Sequence, residues 1–150
     1  IASAVGVGAR LNLRLGGKMG PMSGDPIDLN VTVIGVISDM YQEFPQTDKV
    51  ITMPCGDSVA LNCNGIDIIV NSLRTQVFSP MVFTNFGIDI SKKRMLVVKS
   101  TQHFYAAYAP IASEVIYMAA PGAISPRFTE IPFKQVDLNK FPWVDDPFAN

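Results

Sequence analysis

The sequence lacks any concentration of charge of one sign, which limits the partners it can bind. It contains 12 Lys and Arg against 13 Asp and Glu in 150 residues. Its longest basic run, Lys92 to Arg94, is too short to follow a phosphate backbone. We therefore expect no nucleic-acid partner.

Long apolar runs are also missing. No apolar stretch reaches the roughly 20 residues that span a bilayer, although 48% of the residues are hydrophobic. That apolar content is enough for one domain to bury a sizeable core. We expect a soluble, cytoplasmic protein with no membrane partner.

Metal-binding side chains are scarce. The chain has two cysteines, Cys55 and Cys63, which form no CxxC pair, and a single histidine, His103. Zinc sites in proteins combine three or four Cys, His or carboxylate ligands in a tetrahedron. We therefore expect reduced, buried thiols and no metal site within this chain.

The strongest local signal is the dipeptide Asn64-Gly65, which suits a two-residue type I′ turn with positive φ at both positions. An antiparallel hairpin is expected on either side of it. In that register six apolar residues share one face, as the pairs Cys63 and Ile66, Leu61 and Ile68, and Val59 and Val70.

Three further elements follow from short patterns. Leucines alternate with polar residues over 11–15, and β-branched residues crowd 31–37, so both segments are predicted to be strands. Ser79 can cap a helix, Pro80 fits its first position and Gly87 suits the left-handed residue after its last turn. A short helix of about two turns is predicted there.

Residues 94–121 show the pattern of a strand, a helix and a second strand. "RMLVVKS" is a continuous apolar strand that ends at Lys99, and "EVIYMAAP" is the second strand. Between them, apolar residues recur at helical spacing until Pro110 ends or kinks the helix. The pattern predicts a right-handed βαβ crossover, and hence a mixed α/β fold that also contains the hairpin.

The last part of the sequence, residues 123–150, is rich in proline and carries aromatic residues without helical or strand period. We expect an extended tail that packs on the domain or on a partner.

The first candidate site lies where the predicted strand meets the helix. Lys99, Ser100 and Thr101 there suit a carboxylate or phosphate, through a lysine charge, two hydroxyls and free helix N–H groups. Alternatively, Ser100 or Thr101 only caps the helix. His103 can act as a proton donor or stabilise an oxyanion, or it can be a hydrogen-bonded structural residue.

The second candidate site is the segment Arg74, Thr75 and Gln76, which follows the hairpin. A planar guanidinium beside amide and hydroxyl donors suits a carboxylate. The alternative is that Arg74 pairs with Asp57, with Asp67 or with the carboxyl end of a helix.

The sequence resembles the carboxyl-terminal region of the microcystinase C (MlrC) family of zinc metallopeptidases. Three segments carry the resemblance in the family's order: "LGGKMGPMSGDPIDL", "NSLRTQVFSPMVFTNFGID" and "MLVVKSTQHFYAAYAPIASEVIYMAAPG". It runs from about Leu11 to Gly122 and implies an MlrC-like domain over 1–122, followed by the tail at 123–150.

The resemblance implies the cleft-forming domain of a zinc-dependent peptidase or amidohydrolase that cleaves peptide bonds in substrates of the linearised microcystin type. In this family a larger amino-terminal region binds the zinc. We therefore expect zinc in the complete enzyme, none in this chain, and no activity of the chain alone. The expected partners are that larger region and a peptide or amide substrate, and self-association stays open.

The resemblance also implies that both candidate segments line the cleft. His103 would be catalytic, and the substrate would contact Arg74, Thr75, Gln76, Lys99, Ser100 and Thr101. The alternative is a noncatalytic domain that binds a small anion or a protein partner.

Overall fold

The computed structural model of the protein describes residues 1–46, 49–120 and 127–149. They divide into two compact units. The first comprises Ile1–Arg14 and Asp28–Val115, and the second comprises Leu15–Ile27 and the residues from Ile116 onward. Every residue of the two candidate segments lies in the first unit.

One four-stranded sheet with the strand order β1-β2-β3-β4 forms the framework. Strand β2 pairs antiparallel with β3, and β3 pairs antiparallel with β4. The strands are β1 (Arg10–Leu15), β2 (Ile27–Gln46), β3 (Lys49–Cys63) and β4 (Ile66–Asn71). Both strands predicted from leucine alternation and β-branched residues are confirmed, within β1 and β2.

The hairpin between β3 and β4 has the predicted register. Cys63 lies opposite Ile66, and the next pairs on that face also match. Asn64 and Gly65 both have positive φ, at 50° and 84°, because a type I′ turn matches the twist of the strands. Both cysteines are free and buried, as predicted.

The core of the first unit has two parts along the sheet. In one part β2 meets β3, and Val31, Val33, Ala60 and Leu61 are all at most 1% exposed. In the other part Met40 and Cys55 of the sheet pack against Val82 of the following helix, with flanking apolar side chains around them. Burial there raises the pKa of the Cys55 thiol. This second part holds the chain after β4 against the sheet.

The helices are short. The α-helices are α1 (Ala2–Val5), α2 (Met81–Thr84) and α3 (Tyr105–Tyr108), and the 3-10 turns are Pro21–Ser23, Ile90–Lys92, Ala109–Ile111 and Phe128–Glu130. Across the described ranges, no helix has both the length and the apolar character that crossing a membrane requires.

Helix α2 occupies the position predicted from Ser79, Pro80 and Gly87, but it is one turn long instead of two. Ser79 Oγ accepts a hydrogen bond from Met81 N at 3.3 Å. Gly87 has φ 71°, the left-handed conformation predicted for it.

The predicted βαβ crossover is not formed in the part of the chain that the structure describes. Residues 94–100 and 112–120 contain no strand, and the helix between them is reduced to α3 and the 3-10 turn that holds Pro110. An apolar run provides the side chains of a strand, but a strand also needs a neighbouring backbone edge. Among the described residues, the backbone of residues 94–100 accepts one hydrogen bond from another segment, from Val77 N to Lys99 O at 3.4 Å.

The extended tail is not confirmed in its described part. Residues 127–149 form turns and bends, and the Phe133 ring meets the Trp143 ring edge-on at 5.7 Å. The predicted boundary between residues 122 and 123 lies outside the described residues.

A salt bridge ties the segment after the Ile90–Lys92 turn to the hairpin. Lys93 Nζ lies 2.5 Å from Asp67 Oδ2, and Asn62 Nδ2 donates to Asp67 Oδ1 at 2.6 Å. Burial by itself would raise the pKa of Asp67, but the hydrogen bonds from Lys93 and Asn62 outweigh it and lower the pKa. A lowered carboxyl pKa stabilises the fold at neutral pH, and this stabilisation is lost as the pH falls through the folded-state value.

We expect Lys93→Met to lower the free energy of unfolding at pH 7 by about 1 kcal/mol, because it leaves a half-buried carboxylate without its cation. The deficit should shrink as the pH falls below about 4, where the unfolded carboxyl becomes protonated. Urea unfolding at several pH values measures it. Lys92→Met is the matched control, since Lys92 pairs with Asp89 on the exposed surface and should contribute little. Equal losses of stability in Lys93→Met and Lys92→Met at every pH would contradict the prediction.

Candidate functional site

The fold brings the two candidate segments together at one side chain, Gln76. Ser100 Oγ donates a hydrogen bond to Gln76 Oε1 at 3.2 Å. His103 Nδ1 lies 3.4 Å from the same oxygen. We call Gln76, Ser100 and His103 the amide cluster. Ser100 and His103 lie 24 and 27 positions after Gln76 in the sequence, so only the tertiary structure assembles the cluster.

Two phenylalanines set the orientation of the His103 ring. The ring meets Phe78 at 5.6 Å and 88°, and it meets Phe44 at 6.5 Å and 85°. The two phenylalanine rings also contact each other, at 5.5 Å. Edge-to-face contacts of this kind favour one ring orientation. His103 is otherwise exposed, so its free edge is open to a ligand.

Beneath the cluster lies a fully buried amide, that of Gln42 in β2. Gln42 Nε2 donates to Gln76 O at 2.6 Å, and Gln42 Oε1 accepts from Phe78 N at 2.8 Å and Ser79 N at 3.1 Å. One side chain therefore satisfies three backbone groups of the segment that carries Gln76. The amide of Gln42 is itself buried, and a low-dielectric environment strengthens its hydrogen bonds.

Helix α3 supports the same segment from another direction. Tyr108 Oη donates to Ser79 O at 3.0 Å, and both residues are buried. Burial raises the pKa of the Tyr108 hydroxyl, so this hydroxyl remains a hydrogen-bond donor at neutral pH. The backbone of Ser79 is thus held at its N–H by Gln42 and at its carbonyl by Tyr108.

The other predicted site residues lie beside the cluster but do not join it. Thr75 Oγ1 donates to Gln76 O at 3.4 Å. Arg74, Lys99 and Thr101 are exposed. Within the described residues, neither Arg74 nor Lys99 forms a salt bridge, so both charges face solvent.

Two of the structural alternatives are not formed among the described residues. Asp67 pairs with Lys93, Asp57 Oδ1 accepts from Asp39 N, and no salt bridge joins either carboxylate to Arg74. Helix α3 begins at Tyr105 without a side-chain cap, so neither Ser100 nor Thr101 caps it. The predicted strand-to-helix junction is replaced by bends and a turn over 101–104.

Sequence reasoning missed Gln42, Phe44 and Phe78. One signal was present, because Met40, Gln42 and Phe44 alternate along one strand, and side chains two apart share a face. Met40 is 3% exposed and Gln42 is 0% exposed. A glutamine in a buried register must be hydrogen-bonded, which marks it as part of a polar network.

In the part of the chain that the structure describes, the side chains do not fit a zinc ion. The described residues contain no group of three or more His, Cys, Asp or Glu side chains placed to hold a metal. Cys55 and Cys63 lie on one strand, eight residues apart, which corresponds to about 26 Å of extended chain. His103 has an amide and two aromatic rings as its neighbours.

We therefore expect the purified chain to retain no stoichiometric zinc after dialysis against a weak chelator, because no three ligands converge. Metal analysis of the dialysed chain, beside a His103→Ala sample, measures this. One zinc per chain in the unsubstituted protein would contradict the prediction.

The fold and the amide cluster define a domain built on one four-stranded sheet, with no metal centre among its described residues. The family model for the MlrC C-terminus matches residues 1–135. The chain belongs to this family, and the resemblance in the sequence is confirmed.

Two relatives extend this comparison. Microcystinase C from Sphingomonas sp. is 32% identical over 115 residues, which is 77% of this chain and 22% of that protein. The crystal structure of a "putative metallopeptidase" from Mesorhizobium sp. BNC1 superposes with a TM-score of 0.75 at 20% identity, over 89% of this chain and 27% of that one. The second likeness shows a shared fold. The chain thus spans about a quarter of the length of each relative.

Proposed function

We propose that this chain forms part of the substrate cleft of a zinc-dependent peptidase or amidohydrolase similar to microcystinase C. The observation that carries the proposal is the meeting of Ser100 and His103 at Gln76 Oε1, on an exposed surface. The relative named microcystinase C supports the reaction class. Zinc would be bound by a larger region outside this sequence, and the chain alone would be inactive.

His103 would be the catalytic residue. Its Nδ1 is directed to Gln76 Oε1, which leaves Nε2 for the substrate. Once protonated, Nε2 would donate a hydrogen bond to the negative charge that develops on the carbonyl oxygen during attack on the peptide bond. The rings of Phe44 and Phe78 would keep the imidazole in that orientation.

The remaining candidate residues would bind the substrate. Gln76 and Ser100 would offer an amide and a hydroxyl to the polar atoms of a peptide. Arg74 and Lys99 would attract a substrate carboxylate, since both are exposed and form no salt bridge with a described residue. Thr75 and Thr101 would add hydroxyl contacts beside them.

Exposed apolar side chains support docking to a larger region. In the first unit, Met95 and Val97 are 76% and 73% exposed, and in the second unit Ile116 and Met118 are 73% and 78% exposed. These are the segments in which strands were predicted but not formed. Apolar segments of this kind mark surfaces that a partner covers.

We expect the chain to self-associate, or to bind the larger amino-terminal region, through these segments. Sedimentation of the chain across a dilution series, with and without that region, measures both. Met95→Lys combined with Val97→Lys should weaken the association, whereas Lys92→Met on the charged surface should not. A strictly monomeric chain that fails to bind the larger region would count against docking.

Reconstitution tests the proposed function. The chain and the larger region should each be inactive, and the mixture with zinc should hydrolyse linearised cyclic peptides or other amides. Peptide cleavage by the chain alone would contradict the division of roles. A mixture that assembles without hydrolysis, while the chain binds small carboxylates, would favour the noncatalytic binding domain instead.

A further inference from the structure

We propose that Gln42 is a positioning residue that holds His103 in a single tautomer, with the proton on Nδ1 and the lone pair on Nε2. The expected effect on kcat rests on the proposed function. The expected tautomer of His103 rests on hydrogen bonds alone.

The tautomer follows from the acceptor that His103 meets. Gln76 Oε1 is a carbonyl oxygen, and it already receives the Ser100 hydroxyl. A carbonyl oxygen can only accept, so His103 Nδ1 must carry a hydrogen to bond with it. In a neutral imidazole the other nitrogen then has a lone pair, because the hydrogen bond of one nitrogen sets the state of the other. The Nε2 of His103 is thus prepared to take up a proton, and the protonated ring can then donate from Nε2 to a developing negative charge.

Gln42 controls this contact through the backbone of Gln76. Its amide spans three backbone groups, the carbonyl of residue 76 and the N–H groups of residues 78 and 79. These three groups belong to the backbone on either side of two residues that contact His103. The Gln76 side chain faces His103 Nδ1, and the Phe78 ring packs against the His103 ring. Gln42 is fully buried, so its own amide is shielded from water. Losing them would release Gln76 Oε1 and Phe78 together.

The test uses the fact that the chain contains one histidine. Heteronuclear NMR of the imidazole nitrogens, at a pH where His103 is neutral, reports its tautomer without signal overlap. We expect hydrogen on Nδ1 in the unsubstituted chain and a mixture of tautomers in Gln42→Met, which keeps the volume of the side chain but removes its hydrogen bonds.

Ser58→Ala is the matched control. Ser58 is also buried and donates to a backbone carbonyl, Gly56 O at 2.9 Å, yet it contacts no member of the amide cluster through a described hydrogen bond. This variant should be less stable and keep the Nδ1–H tautomer. An unchanged tautomer in folded Gln42→Met would make Gln42 merely structural and overturn the inference, as would Nε2–H in the unsubstituted chain.

A second variant, Gln42→Asn, tests the same inference if Gln42→Met does not fold. Gln42→Asn keeps a buried amide but is shorter by one methylene, so it cannot reach both Gln76 O and the two N–H groups. It should also lose the tautomer preference. If neither variant folds, Gln42 is a folding residue and the positioning role is overturned.

The catalytic consequence is measured separately, in the reconstituted enzyme. Misplacing a catalytic group by about 1 Å can cost about a hundredfold in rate, so Gln42→Met should lower kcat by up to that factor with KM nearly unchanged. If reconstitution gives no activity but the tautomer responds as expected, the proposed function fails and the positioning inference stands. An active enzyme whose kcat is unaffected by Gln42→Met would overturn the catalytic consequence.

Discussion

His103→Ala and Ser100→Ala should each lower turnover of the complete enzyme by about a hundredfold to a thousandfold while the protein stays folded. Both side chains reach the surface, where they meet Gln76 Oε1 and not the core. Loss of one hydrogen bond that forms in the transition state costs roughly 2.7 to 4 kcal/mol. Turnover and melting temperature should be measured on the same samples.

Gln102→Ala is the control for this pair of substitutions. Gln102 is exposed beside His103, so its replacement should leave turnover and stability close to those of the unsubstituted enzyme. His103→Ala should cost only about 1 kcal/mol of stability, through its contacts with Phe44 and Phe78. Normal turnover combined with a lowered melting temperature would show that His103 is a packing residue.

Gly56→Ala should be the most destabilising small substitution near the site, with a loss of about 2 to 5 kcal/mol in the free energy of unfolding. Gly56 has φ 69°. An added Cβ would lie 2.8 Å from Leu73 Cγ and closer still to Ser72 Oγ. Ser72 N and Leu73 N donate hydrogen bonds to Asp57 O and Cys55 O, so the chain after β4 runs close beside β3 at Gly56 before it reaches the amide cluster.

Gly65→Ala separates the two causes of this loss. Gly65 also has positive φ, at 84°, but a Cβ there would meet nothing within 4 Å. It should therefore show only the cost of the backbone conformation, about 1 to 2 kcal/mol. Thermal and urea unfolding of both variants provide the comparison. Equal losses would contradict a steric role for Gly56 in the close approach of Ser72 and Leu73.

Local signals in the sequence predicted those elements whose conformation depends on a few neighbouring residues. Asn64 and Gly65 specified the hairpin and its register because the positive φ values of a type I′ turn select these residue types. Leucine alternation predicted β1, and Gly87 the end of the α2 segment, for similarly local reasons. The three long segments were sufficient to identify the family.

The sequence by itself therefore determined the hairpin, the strands β1 and β2, one short helix and the family. It also pointed to the two segments whose side chains meet at Gln76. Tertiary structure alone decided that the apolar runs at 94–100 and 112–120 are not strands in the described chain, because a strand needs a partner edge as well as apolar side chains. It alone also placed the buried amide of Gln42 beneath Gln76. Neither outcome could be read from pattern, because hydrogen bonds between residues more than 30 positions apart depend on how the chain closes and not on local preference.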